Sequence, residues 1–345
     1  MNILLDDLPY NNSFFPFGAV RSIAHSRIGI LTIFEKWEFY FPGKVSIASG
    51  ELFHESDASS FIKFPANVVP SHHFLKDLVQ KKEKISFPQN CKTIEHPWQL
   101  FENNDWAIRQ DFDMITQGRM SQRIPGNNQV ICPENIFIEV GAKISFSILN
   151  AENAPIYIGK NAEIMEGCLL RGPISLGEGS VLKMGTKIYG ATTIGPNCIV
   201  GGEIKNSILM AYSNKAHDGY LGDSVIGEWC NLGAGTSNSN LNNNASPVKI
   251  WNKTKNDFES AGNKCGLLMG DYSRCAINTS FNTGTVVGVC CNIFGNSFPK
   301  KFMDNFSWGI EKYRFENAIA DIDNWKKFKG RKITEDEIQS LKKIY

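Results

Sequence analysis

The chain has no apolar run approaching the ~20 residues that cross a bilayer. Its first residues, MNILLDDLPYNN, lack a basic stretch followed by an apolar one. Neither a membrane span nor a secretory leader is therefore expected, and no membrane partner. An excess of one charge is also missing: 36 Lys and Arg stand against 35 Asp and Glu, a net +1. Bulk electrostatics then favour neither nucleic acid nor an anionic surface. The nine cysteines are an odd number and contain no CxxC pair. That speaks against a disulfide framework and a zinc site, and suits small hydrophobes in a reducing cytoplasm. Histidine is scarce, with six in the chain and only His217 after His96. Metal-dependent hydration on stacked coils needs about three histidine ligands, so no metal site is expected. A single base serves acyl transfer, so one histidine suffices there.

What the chain does have is a period of six. Ile158, Ile164, Leu170, Leu176, Leu182, Ile188, Ile194 and Val200 follow one another at six-residue steps, and all are aliphatic. The residue four places after each, from Ala162 and Cys168 to Cys198 and Ile204, is small or β-branched. Glycine recurs at steps of eighteen, at Gly141, Gly159, Gly177 and Gly195. The register resumes at Met269, Cys275, Phe281, Val287 and Ile293. A helix would need a period of 3.6 and a half-exposed strand a period of two. Six at this composition means three short strands per coil, stacked about 4.8 Å apart with one inward aliphatic on each flat side. The fold class is mainly β, a hexapeptide-repeat parallel β-helix.

Residues 1–130 carry no hexads and read as a small α/β domain. Strands are expected near residues 2–6 and 44–48, with a helix within residues 28–40 and another after Pro97. Residues 122–129, QRIPGNNQ, make a plausible linker. The repeat domain runs over residues 131–306. Residues 206–219 and 238–264 break its register and are expected to project as loops. A helical tail follows over residues 307–345, ending in a helix opened by the capping box Thr334-x-x-Glu337.

His217 sits in the first of these interruptions, and eighteen residues separate Lys187 from Lys205. At that spacing the two ammonium groups stack on adjacent coils roughly 5 Å apart and repel unless an anion lies between them. A phosphate suits that place. Arg171 and Lys183 are assigned to other sides of the prism.

The stretch KAHDGYLGDSVIGEWCNLGAGTSNSN, from Lys215, resembles the acetyltransferase domain of the bifunctional N-acetylglucosamine-1-phosphate uridylyltransferase/glucosamine-1-phosphate acetyltransferase family. That family carries K-A-G-H-x-x-Y-L-G-D followed by I-G-A-G-T and an asparagine. The whole chain is similar to a Bacteroidetes-type variant branch, through the stretch from Arg27 to Glu38 and through MGDYSRCAINTSFNTGTVVGV. The resemblance implies a homotrimeric left-handed β-helix that transfers acetyl from acetyl-CoA to an amino-sugar phosphate in the cytoplasm. It places His217 as the catalytic base and Asn240 beside the reacting carbonyl. Tyr220, Lys187, Lys205 and, more loosely, Lys249 fall on substrate contacts. Ala234, Asp271 and Val289 fall on acetyl-CoA contacts. Ala216 and Leu241 depart from the family pattern, which has glycine and tyrosine there. The glycine-rich L-x-x-G-x-G-T-R nucleotide loop is absent, and Gly18-Ala19-Val20-Arg21 is a poor substitute. Two other readings stay open. One is a sugar-1-phosphate nucleotidyltransferase acting through the N-terminal domain, with UTP and Mg2+; the other is a non-catalytic trimeric scaffold.

Overall fold

The computed structural model describes residues 1–49, 61–81 and 90–345. At the N-terminus β1 (Asn2–Asp6), β2 (Val45–Ile47) and β3 (Phe61–Pro65) form a parallel sheet in the order β2-β1-β3. Helix α1 (Ile33–Tyr40) opens with a capping box between Thr32 and Glu35, and α2 (His72–Lys81) follows β3. The helix expected after Pro97 is broken into α3 (Gln99–Glu102) and α4 (Asn104–Thr116). Asn104 is the reason. It is fully buried, accepts from Gly29 N at 2.7 Å, and donates to Ala191 O in the repeat region at 2.9 Å.

The N-terminal unit has no private core. Phe14, Ile33, Trp37 and Leu75 cluster with Ile208, Val225, Leu268 and Val286. The packing therefore does not stop near residue 130. Beside this core Lys36 and Asp111 form a buried ion pair. Asp111 also accepts from the backbone N–H of Ile30 (2.8 Å) and Leu31 (3.1 Å), so the carboxylate has partners on every side.

From Ile136 onward the hexads wind into a parallel β-solenoid. Its three walls hold nine, ten and six hydrogen-bonded strands among the described residues. Ile158 stacks on Leu176 and Ile194 in the nine-strand wall, Ile164 on Leu182 and Val200 in the ten-strand wall, and Leu170 on Ile188 in the six-strand wall. These side chains are at most 2 % exposed. Gly159 and Gly177 meet at a corner where a Cβ on Gly159 would lie 2.7 Å from the Leu176 carbonyl oxygen.

The residues expected to interrupt the repeat mostly continue it. Ile208–Leu209 and Asn214–Lys215 are wall strands in register with Ile194 and Val200. The coil is simply shorter: Leu182 lies opposite Val200, eighteen residues on, but Ile188 lies opposite Ile204, only sixteen on. The two missing residues belong to the turn at Gly201–Gly202. A Cβ on Gly201 would lie 2.5 Å from Ala216 O, and one on Gly202 (φ +78°) 2.7 Å from Gly219 O. The glycine pair thus lets the next coil settle directly against this turn. The second interruption does project, as an antiparallel hairpin of Lys249–Asn252 and Asp257–Ser260. It docks on the N-terminal unit, where His96 Nδ1 lies 3.3 Å from Glu259 Oε1.

At the corner after the nine-strand wall one residue per coil is left-handed. Asn161, Gly179 and Asn197 give way to Tyr212, Trp229 and Tyr272, all with φ between +56° and +63°. An aromatic residue there costs roughly 1–2 kcal/mol that glycine avoids. Their rings carry the tail. Tyr212 and Trp229 stack with centroids 4.2 Å apart, and α5 (Phe315–Phe328) and α6 (Glu335–Lys342) close over them. Lys329 donates to Asn197 O (2.9 Å) and Tyr212 O (3.1 Å), and α6 opens with the expected Thr334–Glu337 capping box. No helix among the described residues is long and apolar enough to cross a membrane.

Candidate active site

His217 lies in the turn after Asn214–Lys215 and its residue is exposed. The main chain beneath it is firmly bonded: Asp218 O accepts from Gly235 N at 3.1 Å, and Gly219 O from Glu203 N at 3.1 Å. Tyr220 follows at the edge of the six-strand wall, its amide donating to Ser237 Oγ at 3.0 Å. Asn240 Nδ2 donates to Tyr220 Oη at 3.2 Å and also to Asp223 Oδ2. Asp223, 4 % exposed, accepts from Asn206 Nδ2 at 2.6 Å on its other oxygen. The carboxylate thereby fixes which end of the Asn240 amide faces it. Burial, reinforced by Asp223, pushes the Tyr220 phenol up to about 12, so it stays protonated. The structure thus joins Tyr220, three residues beyond His217, with Asn240.

The lysine pair is corrected. Because the coil is sixteen residues long here, Lys187 lies opposite Glu203, while Lys205 lies opposite Tyr189. The two ammonium groups are diagonal neighbours rather than stacked, and a carboxylate stands between them. Glu203 accepts from Tyr189 Oη at 2.6 Å, and Lys205 Nζ lies 5.9 Å from the Tyr189 ring centre. Arg171 is corrected too. Leu170 pairs with Ile188 in the same wall, which puts Arg171 beside Tyr189, in the column that continues to Lys205. Lys249 is exposed on the hairpin, opposite Ser260.

The cofactor positions divide. Ala234 is partly buried, and its carbonyl accepts from Asn278 N at 2.7 Å. Of the amides expected to form an oxyanion pocket, Gly233 N is held by Cys275 O and Gly235 N by Asp218 O, both at 3.1 Å. Only Ala234 N–H is left without a hydrogen bond among the described residues. Asp271 and Val289 stack on adjacent coils as their spacing implies, since Leu267 to Met269 register on Thr285 to Val287. They are nevertheless sealed, with exposures of 2 % and 0 %. Arg21 Nη2 lies 2.6 Å from Asp271 Oδ1 and also pairs with Glu228, while Val289 belongs to the cluster under the C-terminal helices. Burial raises the Asp271 carboxyl above its ordinary range against the pull of Arg21. Neither side chain presents a surface to acetyl-CoA in this chain. Sequence reasoning missed this because the sealing residues lie far away in the chain.

Two residues of the site had not been singled out. Asp223 follows the glycine of the Y-L-G-D element. Lys215, 1 % exposed, reaches from the ten-strand wall to Gly201 O (3.2 Å) and His217 O (2.5 Å). Its signal was an inward hexad slot filled by lysine, visible only once the shortened coil is aligned.

Residues 60–120 match a family of sugar nucleotidyl transferases. The bifunctional protein GlmU of Methanocaldococcus jannaschii is 41 % identical over 102 residues, covering 29 % of this chain and 24 % of that protein. A bifunctional sugar-1-phosphate nucleotidylyltransferase/acetyltransferase of Sulfurisphaera tokodaii is 30 % identical over 201 residues, 58 % of this chain and 44 % of that one. The bifunctional protein GlmU of Methanococcus vannielii is 25 % identical over 240 residues, 69 % of this chain and 51 % of its own length. The chain therefore spans between about a quarter and a half of the length of these relatives.

Proposed function

We propose, for a chain that is a relative of the bifunctional sugar-1-phosphate nucleotidylyltransferase/acetyltransferase family, that it transfers acetyl from acetyl-CoA to the amine of an amino-sugar phosphate. The observation that carries this reading is the exposed His217, three residues before Tyr220 in the chain, together with an Asn240–Tyr220 pair ordered by Asp223. The amine nitrogen attacks the acetyl carbonyl carbon and the neutral imidazole of His217 takes the amine proton. As the tetrahedral intermediate collapses, the C–S bond breaks and His217 returns the proton to the departing thiolate. Asn240 has its Nδ2 committed to Asp223, which leaves Oδ1 to accept from the attacking amine. Ala234 N–H faces the developing oxyanion, a contact that strengthens only as charge builds. Tyr220 positions the sugar. Lys205, on the column with Arg171, takes the phosphate, and Lys187 contributes less because Glu203 faces it.

The exposed side chains at the same corner support a homotrimer. Two residues after successive inward positions of the ten-strand wall the chain presents Phe146, Glu166, Met184, Gly202, His217, Ala234 and Ile277 in turn. Phe146, Met184 and Ile277 are 65, 67 and 68 % exposed. These three exposed apolar side chains, on either side of the candidate base and interrupted by Glu166, are best covered by a neighbouring chain. The nine cysteines are all free, which suits a reducing cytoplasm.

The match over residues 60–120 favours a second reading, a nucleotidyltransferase activity of the N-terminal unit. No group of three His, Cys, Asp or Glu side chains converges among the described residues to hold a metal. Mg2+ belongs to this second reading as the companion of a bound nucleotide. One experiment separates the readings: coenzyme A release and UTP consumption are followed with a panel of amino-sugar phosphates and UDP-amino sugars. Release of coenzyme A with a phosphorylated amino sugar supports the first reading. Pyrophosphate release alone moves the assignment to the second.

A further inference from the structure

The aliphatic inward column of the ten-strand wall is apolar except at one place. In the ten-strand wall the inward column reads Ile164, Leu182, Val200, then Lys215, then Leu232 and Cys275. A lysine in a slot built for an aliphatic side chain gives up the hydration of its ammonium group, which is tolerated only where the group is bonded and has a purpose. Lys215 Nζ finds two main-chain carbonyls, Gly201 O at 3.2 Å and His217 O at 2.5 Å. One belongs to the shortened turn, the other to the residue that bears the exposed imidazole. No salt bridge reaches Lys215 among the described residues, and Asp218 and Cys275 are the ionisable groups that act on it. Burial lowers its ammonium to about 8.

We propose that Lys215 is a positioning residue: an ammonium set inside the solenoid that ties the His217 main chain to the Gly201–Gly202 turn, so that the imidazole is held at one point of the corner. The part of the inference that concerns turnover rests on the acetyltransferase reading above; the part that concerns the loop does not. Gly201 and Gly202 make the tie possible, since a Cβ on Gly201 would meet Ala216 O at 2.5 Å and His217 N at 3.2 Å. Val200 below and Leu232 above Lys215 in the same column are at most 2 % exposed. Methionine has nearly the same reach without the donors.

The test uses the full-length chain and its Lys215→Met variant, with Lys215→Gln, which keeps one donor, as the second variant. Hydrogen exchange of the amides from Ala216 to Gly219 is measured, together with kcat and KM for acetyl transfer. The expected result is a faster-exchanging loop in the Met variant, with kcat reduced roughly ten- to a hundredfold, the scale of a small misplacement of a catalytic group. KM for acetyl-CoA and the melting temperature change little, and Gln falls between. An unfolded Met variant moves the test to Gln, which must then show the same two effects. Unchanged loop exchange in a folded variant overturns the proposal. So does a loss confined to KM. A wild-type chain that releases no coenzyme A, but whose loop loosens in the variant, sinks the acetyltransferase reading and leaves the tie intact.

Discussion

Replacing Lys215 by methionine makes the stability of the fold respond differently to alkali. In the unfolded chain this lysine titrates near 10.5, and in the folded chain near 8. Below about pH 8 both states are protonated, and the fold carries the full burden of a dehydrated charge. Between 8 and 10.5 the unfolded state binds the extra proton, so stability rises with pH across that window. Each pH unit is worth up to about 1.4 kcal/mol, and the two ends differ by about 3 kcal/mol. At neutral pH methionine removes that penalty but strands the Gly201 and His217 carbonyls, about 1–3 kcal/mol each, so the two proteins should be close in stability. Above about pH 9 the wild type should pull ahead. The assay is urea unfolding of both proteins at intervals from about pH 7 to pH 10, taking the difference so that other titrating groups cancel. A difference that stays flat across the window refutes the assignment of a buried, proton-releasing lysine.

Three other outcomes are expected. His217→Ala should lower kcat for acetyl transfer by roughly 10²–10⁴-fold with little change in melting temperature, and near-normal turnover would remove His217 from the mechanism. Lys205→Met should raise the KM of a phosphorylated acceptor some ten- to hundredfold, the scale of one charge-assisted contact. Lys187→Met should do markedly less, because Glu203 already faces it; equal effects, or equal loss with an unphosphorylated acceptor, count against the phosphate role. Sedimentation at micromolar concentration should show a trimer, and an Ile277→Lys variant should shift it toward monomer; an active wild-type monomer contradicts coverage of the His217 corner.

How far the residues alone could be read follows from what a period can encode. The run from Ile158 to Val200 fixes inside and outside because every coil there has eighteen residues, and each aliphatic landed where expected. The period fails at Gly201–Gly202, where two residues drop out. From that point fixed spacing misaligns the walls, so Lys187 was stacked on Lys205 rather than on Glu203, and Lys215 went unnoticed in its inward slot. Arg171 lies in a full eighteen-residue coil and was set on the wrong side for no reason of spacing. The Tyr220–Asn240 pairing was legible only as a resemblance, since the hydrogen bond spans a loop with no periodicity. The sealing of Asp271 was not legible. Arg21 lies 250 residues away, and nothing in the local pattern of either residue announces the other. The Thr334–Glu337 helix start, by contrast, depends on four adjacent residues and was readable as such.

The shared core has a consequence for the order in which the protein is made. The first hundred or so residues leave the ribosome early, yet Ile33, Trp37 and Leu75 are completed by Val225, Leu268 and Val286. The last of these partners, Val286, lies 170 residues beyond Thr116 at the end of α4 (286 − 116), and synthesis at about 5–20 residues per second spans that gap in roughly ten to thirty seconds. Throughout that interval the N-terminal unit carries an open apolar face, while the solenoid coils, whose contacts reach only to the next turn, can close one by one as they emerge. The nascent chain is thus most exposed to misassociation at the end made first, and its rescue waits on the coil that holds Val286.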